Sequence, residues 1–162
     1  MNKFRFLLAA TLFSVCASLA AQQPVQQPAP AQPELTEEQR AQLAQQDADM
    51  TQAALQVMQL VDNNRTGEVW DGASPVMKQI VPQDEFIRQI TSDRTQLGAV
   101  TGRANPVVTR TQGAEGGEVP AGLYINVSST TTFANQPQPI RELVSFRLDE
   151  DRVWRVSGYT LR

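Results

Sequence analysis

The sequence predicts an α+β domain in which N-terminal helices pack on one face of a curved antiparallel sheet of about four strands. The first observation behind this prediction is a change of period. Apolar residues recur at helical spacing up to Gly98, and beyond it they alternate with period two or are β-branched. The second is the order of the segments, because helices followed by strands with turn-rich links are typical of this class.

The first predicted helix begins after Thr36 and runs to about Val61. Thr36 and Gln39 have the spacing of a capping box, in which each side chain binds the backbone N–H group of the other residue. The first half is rich in Gln and Ala, so we expect it to project from the domain. Segment 62–67 should end the helix. The second half carries one apolar stripe, which consists of Met50, Ala54, Val57, Met58 and Val61.

Two further helices are predicted before Gly98. Ser74 and Pro75 supply an N-cap and a first-turn proline for a short segment that ends near Ile80. Pro82 opens the next helix, and Gly98 should terminate it. The apolar side of this last helix consists of Phe86, Ile87, Ile90 and Leu97.

Strands are predicted after Gly98 because the residues alternate between polar and apolar or are β-branched. Links rich in turn-forming residues separate the strands at 114–120, 135–139 and 149–152. The four predicted strands cover residues 107–111, 123–133, 140–148 and 153–161.

The domain itself is placed at residues 35–162, behind two segments of different character. Lys3 and Arg5 precede an uncharged run that is too short to span a membrane and ends in small residues. Residues 1–20 are therefore predicted to be a signal peptide, cleaved after Ala20 or Ala21, and the protein to be periplasmic. Residues 21–34 are rich in Pro and Gln and should form a disordered spacer.

The composition excludes several kinds of catalytic site. There is no histidine, and the one cysteine, Cys16, would leave with the signal peptide. A Ser-His-Asp triad, a cysteine nucleophile and a Cys/His zinc site are therefore excluded, and we predict no metal and no cofactor. Lipid attachment at Cys16 is an alternative that the bulky Phe13 disfavours.

The charge of the chain restricts its partners. Its formal net charge of −3 becomes more negative when Lys3 and Arg5 leave with the signal peptide. An acidic protein repels phosphate groups, so nucleic acid and anionic lipid are poor candidate partners. After cleavage we expect no segment that spans a membrane.

One segment partly matches a calcium-binding loop. Asp62, Asn64, Thr66 and Gly67 occupy four positions of the pattern, but Ala73 stands where a bidentate glutamate is needed. Asn and Asp residues also favour turns, because their side chains bind the nearby backbone. We therefore interpret this segment as a turn that ends the helix.

A second acidic residue, Glu142, lies inside a predicted strand. Arg141 and Arg147 are close to it in sequence, and Arg94 could reach it from the preceding helix. We expect Glu142 to form a structural ion pair with one of these arginines rather than to act as a catalytic acid, since ion pairs perturb carboxyl groups just as active sites do.

The order of several short motifs resembles the bacterial domain-of-unknown-function family 4019. The resemblance extends from about residue 48 to the end of the chain. It implies a small exported α+β domain with the cone-like fold of nuclear transport factor 2 or of cystatin, and it implies no activity. The residues that carry it are Trp70-Asp71, Arg94, Gly98, Arg103, Gly122-Leu123-Tyr124, Phe133, Glu142 and Trp154-Arg155-Val156-Ser157-Gly158-Tyr159.

One position departs from this pattern. The link at 149–152 contains no glycine, although we would expect a glycine in such a hairpin. The departure leaves the type of turn open. It does not change the fold that the resemblance implies.

The leading functional expectation is a non-enzymatic periplasmic binding module. Its partner would be another protein, which it could inhibit or neutralise as an immunity protein does, or a small apolar ligand. One alternative is a small-pocket enzyme of the ketosteroid isomerase type, with a buried carboxylate and a tyrosine. A second alternative is an envelope-associated structural protein. The residues predicted to form the binding site are Arg94, Arg103, Tyr124, Trp154 and Tyr159.

Overall fold

A computed structural model describes residues 34–162, which form four helices followed by four strands. The α+β prediction is confirmed. The predicted signal peptide, and the spacer up to residue 33, lie outside the described residues. The helices are α1 (Glu37–Asp62), α2 (Thr66–Asp71), α3 (Pro75–Ile80) and α4 (Gln83–Leu97). The strands are β1 (Val100–Gly113), β2 (Gly122–Phe133), β3 (Gln136–Leu148) and β4 (Trp154–Leu161).

Helix α1 has the predicted start and the predicted buried stripe. The Gln39 N–H group donates to Thr36 Oγ1 at 3.2 Å, and the Thr36 N–H group donates to Gln39 Oε1 at 2.9 Å, which completes the capping box. Residues 37–42 at its beginning are exposed. The buried residues of the helix are Met50, Ala54, Val57, Met58 and Val61.

Helix α2 corrects the prediction that segment 62–67 is only a turn. Helix α1 does end at Asp62, but after Asn64, which has a φ of 60°, a new helix begins at Thr66. This helix buries Val69, which is 2% exposed, in the core. The glycine at position 67 lowers local helix propensity, and the tertiary burial of Val69 outweighs it.

Helices α3 and α4 confirm the predictions for this region. The Val76 N–H group donates to Ser74 Oγ at 3.3 Å and so caps α3. Helix α4 buries Phe86 and Ile90. Gly98 ends α4 with a φ of 79°, a conformation that glycine adopts without strain.

The sheet is an antiparallel meander with strand order β1-β2-β3-β4. Val127 pairs with Val144, and Val144 pairs with Tyr159, so these three side chains share one face. They belong to the same buried cluster as Met58 and Ala54 of α1. We call this helix-covered side the inner face of the sheet.

Strand β1 is longer than predicted. It starts at Val100 rather than at residue 107, and its register with β2 shifts between Ala104 and Val107, where Asn105 has a φ of 53°. The residues around Asn105 favour turns, which hid the strand from sequence analysis. In the fold they form a bulge in an edge strand.

Strand β3 also starts earlier than predicted, because residues 136–139 belong to it rather than to a link. Arg141 exchanges backbone hydrogen bonds with Arg162 at the end of β4. By strand alternation, the nitrogens of Pro137 and Pro139 point to the same side as that of Arg141. They lie past the paired part of β4, so the prolines remove no ladder hydrogen bond.

The residues Leu35–Arg162 form one compact unit with a core on the inner face. Its apolar centre includes Ile125, Val127, Val144 and Phe146 from the strands. Of the helices in residues 34–162, none combines the length and apolar composition that a membrane crossing requires.

Two glycines with similar φ angles give a test of this fold. A Cβ atom on Gly98 would lie 2.8 Å from Asn135 Nδ2, whereas one on Gly116, with a φ of 73°, would meet nothing within 4 Å. We expect Gly116→Ala to lower the free energy of unfolding by about 1 kcal/mol. Gly98→Ala should lower it by about 2 kcal/mol, because contact with Asn135 adds to the backbone strain. Equal losses in urea unfolding would contradict this account.

Candidate functional site

A buried carboxylate, Glu142, lies at one end of the inner face. Its side chain is 0% exposed, and each of its oxygens accepts two hydrogen bonds. Oε1 accepts from Tyr159 OH at 2.7 Å and from Arg103 Nη2 at 3.0 Å. Oε2 accepts from Arg103 Nε at 2.6 Å and from Thr131 Oγ1 at 2.7 Å. The hydrogen-bonding capacity of the carboxylate is therefore filled.

Asp62, at the end of α1, extends this cluster to the helices. Arg103 Nη1 donates to Asp62 Oδ2 at 2.7 Å, and Arg103 Nη2 donates to Asp62 Oδ1 at 2.9 Å. Arg94 of α4 donates through Nη2 to Asp62 Oδ1 at 2.8 Å and stacks on Phe133, 4.8 Å from the ring centre. We call Asp62, Arg94, Arg103, Thr131, Glu142 and Tyr159 the Glu142 network.

The network also fixes the protonation of its members. Burial acts to lower the pKa of Arg103, but hydrogen bonds and charges from Asp62 and Glu142 outweigh it and raise that pKa. Burial raises the pKa of Tyr159, and the negative charge and hydrogen bond of Glu142 raise it further. Arg103 is therefore a permanent cation, and Tyr159 is a neutral hydrogen-bond donor.

The Glu142 network is arranged to hold the fold together rather than to move protons. A general base needs a lone pair within reach of a substrate, and Glu142 has neither a free lone pair nor solvent contact. Within residues 34–162, no group of three or more Asp, Glu, His or Cys side chains converges as a metal site would require.

The prediction that Glu142 pairs with Arg94, Arg141 or Arg147 was wrong. Arg141 and Arg147 stand at odd-numbered positions of β3, and strand alternation turns them away from the inner face. Arg94 binds Asp62 instead. The partner is Arg103 of β1, which the sequence analysis had selected as a site residue without assigning it to Glu142.

A second buried carboxylate, Asp149, stabilises the link between β3 and β4. Asp149 Oδ1 accepts from Ser74 Oγ at 2.6 Å and from Arg147 Nη1 at 2.9 Å, and Oδ2 accepts from Arg155 Nη1 at 3.1 Å. Burial acts to raise the pKa of Asp149, but these hydrogen bonds outweigh it and lower the pKa. We call these four residues the Asp149 cluster, which attaches the link to the start of α3.

An open cleft of about 600 Å³ lies at the opposite end of the inner face, between Gln46 of α1 and the strands. We call it the α1–sheet cleft. Its apolar surface is formed by Leu123, Ile125, Leu148 and Trp154. Ile125 also belongs to the core, whereas Leu123 is 48% exposed. The cleft is thus a continuation of the core that the exposed start of α1 leaves uncovered.

Two arginines, Arg110 and Arg152, lie at the polar margin of the cleft. Arg110 Nη2 forms an ion pair with Asp47 Oδ1 at 2.6 Å and also donates to Gln46 Oε1 at 2.8 Å. Arg152 belongs to the link between β3 and β4 and is exposed. The cleft therefore combines an apolar wall with cationic side chains.

The five predicted site residues fall into two groups. Arg94, Arg103 and Tyr159 belong to the Glu142 network, whereas Tyr124 and Trp154 line the α1–sheet cleft. The hydroxyl of Tyr124 donates to the Pro120 carbonyl at 2.8 Å, so it is already bound. The five predicted residues therefore come from opposite ends of the sheet and do not form one site.

Two groups of site residues escaped sequence analysis. Asp62 was interpreted as a turn residue, although its position at the end of an amphipathic helix placed it near the core. Leu123 and Leu148 were assigned only to strands. Their period-two phase with Ile125 and Phe146 puts them on the inner face, and this signal could have found them.

Fold and site together define a class of protein: a helix-covered antiparallel-sheet domain with an internally neutralised ion network and an open apolar cleft. The family model described as "Protein of unknown function (DUF4019)" matches residues 53–159, which is more than half of the chain, and the chain belongs to this family. The family resemblance is thereby confirmed. The searches of curated proteins and of solved structures each returned no match.

The Glu142 network can be tested with the same substitution at two glutamates. Glu142→Gln places an amide donor against the donors of Arg103, Thr131 and Tyr159, so we expect the free energy of unfolding to fall by about 3 kcal/mol. Glu150 also binds an arginine, but its side chain is 78% exposed, so Glu150→Gln should cost much less. Urea unfolding measures both variants. A loss at position 142 no larger than that at 150 would refute the assignment.

Because the hydroxyl of Tyr159 is buried, we expect the protein to lose stability at alkaline pH. Its pKa is raised in the folded protein, so the full stabilising contribution is present below the ordinary value of 10.0 and declines as the pH rises above it. Relative to Tyr159→Phe, the native chain should lose stability more steeply above pH 10.0. In a Tyr124→Phe variant, where Tyr159 is the only tyrosine, phenolate absorbance should appear only on unfolding. Ionisation of Tyr159 in the folded state at pH 10.0 would contradict the burial.

Proposed function

We propose that this chain is an exported, non-enzymatic binding module that holds a small apolar ligand in the α1–sheet cleft. The observation that carries the proposal is the continuation of the core into an open cleft of about 600 Å³. Small-molecule sites are concave, mostly apolar and of about 300–1,000 Å³. The concave shape favours a small ligand over a protein surface.

The energetic reason is the exposure of apolar side chains at the cleft. Leu123 is 48% exposed although its strand neighbour Ile125 is 1% exposed. A ligand that covered Leu123, Leu148 and Trp154 would remove apolar surface from water, which contributes about 25 cal/mol for each Å². The affinity would thus come from surface that the fold leaves incompletely covered.

The surrounding structure supports a preformed site. The Glu142 network joins α1, α4 and all four strands at one end of the inner face, and the Asp149 cluster joins α3 to the link that borders the cleft. Strands and a link that are held in place by such hydrogen bonds need little rearrangement when a ligand binds.

The enclosure of Glu142 favours binding over catalysis. A reaction of the ketosteroid isomerase type needs a carboxylate that can reach a substrate, and here all four hydrogen bonds to Glu142 come from the protein. The carboxylate is also at the end of the inner face away from the cleft. A module that binds a small apolar ligand therefore agrees better with the geometry than a small-pocket enzyme does.

The proposal also includes export to the periplasm and a relationship to a known fold. The basic residues and short apolar run at the start of the sequence support export to the periplasm. Helices on one face of a four-stranded antiparallel sheet, with an open end of the core, support a relationship to the cone-like fold of nuclear transport factor 2.

Binding can be tested with 1-decanol below its solubility limit, using the fluorescence of Trp154 as the signal. In a Trp70→Phe background Trp154 is the only tryptophan. We expect a saturable change in fluorescence. Leu123→Asp should weaken binding about tenfold or more, since it removes apolar contact and introduces a charge.

The matched control is Val107→Asp. Val107 is 52% exposed and pairs with Ser128 outside the cleft. The substitution therefore also replaces an exposed apolar side chain by aspartate, but at a position that does not contact the ligand. Binding to this variant should equal that of the parent chain. Absence of saturable binding in the parent, or equal affinity of the two aspartate variants, would refute the proposed function.

A further inference from the structure

The backbone of Arg152 has an uncommon conformation for its residue type. Within residues 34–162, three non-glycine residues have a positive φ: Asn64, Asn105 and Arg152, the last at 62°. Asparagine tolerates this region well, whereas arginine has no side-chain group that compensates locally. A glycine, which the family pattern led us to expect in this link, would adopt the same φ without strain.

The side chain of Arg152 also differs from the neighbouring arginines in having no ion-pair partner among the described residues. The three acidic residues of the link are each engaged by other arginines, because Asp149 and Glu150 bind Arg147, and Asp149 and Asp151 bind Arg155. Arg152 itself forms no ion pair with any residue in the part of the chain that the structure describes. It lines the α1–sheet cleft, where the other arginine, Arg110, is neutralised by Asp47.

Hydrogen bonds of the link hold the backbone of Arg152 in place. The Arg152 N–H group donates to the Asp149 carbonyl at 2.9 Å, and the Asp149 N–H group donates to the Val153 carbonyl at 3.0 Å. The Asp149 side chain is held in turn by Ser74 and Arg155. The backbone that carries Arg152 is therefore held by the link, and its guanidinium reaches the cleft without an ion-pair partner among the described residues.

We propose that the ligand of the α1–sheet cleft is an amphipathic carboxylic acid whose carboxylate pairs with Arg152 and whose alkyl chain covers Leu123 and Trp154. This inference rests on the proposed function. A guanidinium offers two parallel N–H groups that match a carboxylate, and such charge-assisted pairs are stronger than neutral hydrogen bonds. Strain kept at a residue that borders a cleft is consistent with a role in binding.

The experiment compares decanoate with 1-decanol, which share an alkyl chain and differ in the head group. Both are titrated below aggregation against the Trp70→Phe chain, with Trp154 as the reporter. Arg152→Gln should weaken decanoate binding about tenfold and leave decanol binding unchanged. Arg88→Gln, which removes the same charge at a position whose side chain is 69% exposed and outside the cleft, should change neither affinity.

The outcomes separate this inference from the proposed function. If decanol binds and Leu123→Asp weakens it, but Arg152→Gln affects both ligands equally or neither, the pairing is refuted and the proposed function stands. If neither ligand binds, both fail. Arg152→Gly should fold at least as well as the parent in thermal unfolding and should show the same selective loss of decanoate, since glycine accepts the positive φ.

Discussion

The burial of one carboxylate, Glu142, constrains the rest of this structure. Removing a charged group from water costs several kcal/mol unless other groups neutralise and solvate it. Here Arg103 supplies the opposite charge, and Thr131 and Tyr159 supply the remaining hydrogen bonds. These donors come from three strands, and Glu142 lies on the fourth, so the sheet must be assembled before the carboxylate is satisfied. A shift of one residue in β3 would turn Glu142 to the opposite face. The network thereby specifies the register as well as stabilising it.

The inner face is divided into three zones along the strands. The Glu142 network occupies one end, the apolar core around Val127 and Val144 occupies the middle, and the α1–sheet cleft occupies the other end. Helix α1 crosses all three zones, since it carries Asp62 at its end, the buried stripe in its second half and Gln46 beside the cleft. The rigid end and the open end are therefore linked by one helix. This arrangement lets a single small domain combine a fixed frame with an accessible apolar surface.

Local patterns predicted most of the fold, and long-range pairing accounts for what they missed. The capping box at Thr36 and the glycine at position 98 act within one helical turn. The start of α1 and the end of α4 could therefore be predicted from the sequence alone. Helix α2 forms because Val69 is buried by distant residues, which no local window contains. The pairing of Glu142 with Arg103 joins positions 39 residues apart. Strand alternation could have excluded Arg141 and Arg147, but it could not have selected Arg103 without the register of three strands.

The bulge in β1 affects how copies of this protein can associate through the edge of the sheet. Strand β1 is an edge strand of 14 residues, long enough to template the addition of a foreign strand. Pro106 lacks a backbone donor, and the bulge around Asn105 interrupts the regular spacing of the remaining donors and acceptors. An incoming chain would find no ladder that runs the whole length of this edge. The bulge therefore confines the stretch on which a foreign strand could pair regularly to residues 107–113, and a shorter edge is a poorer template for fibrils.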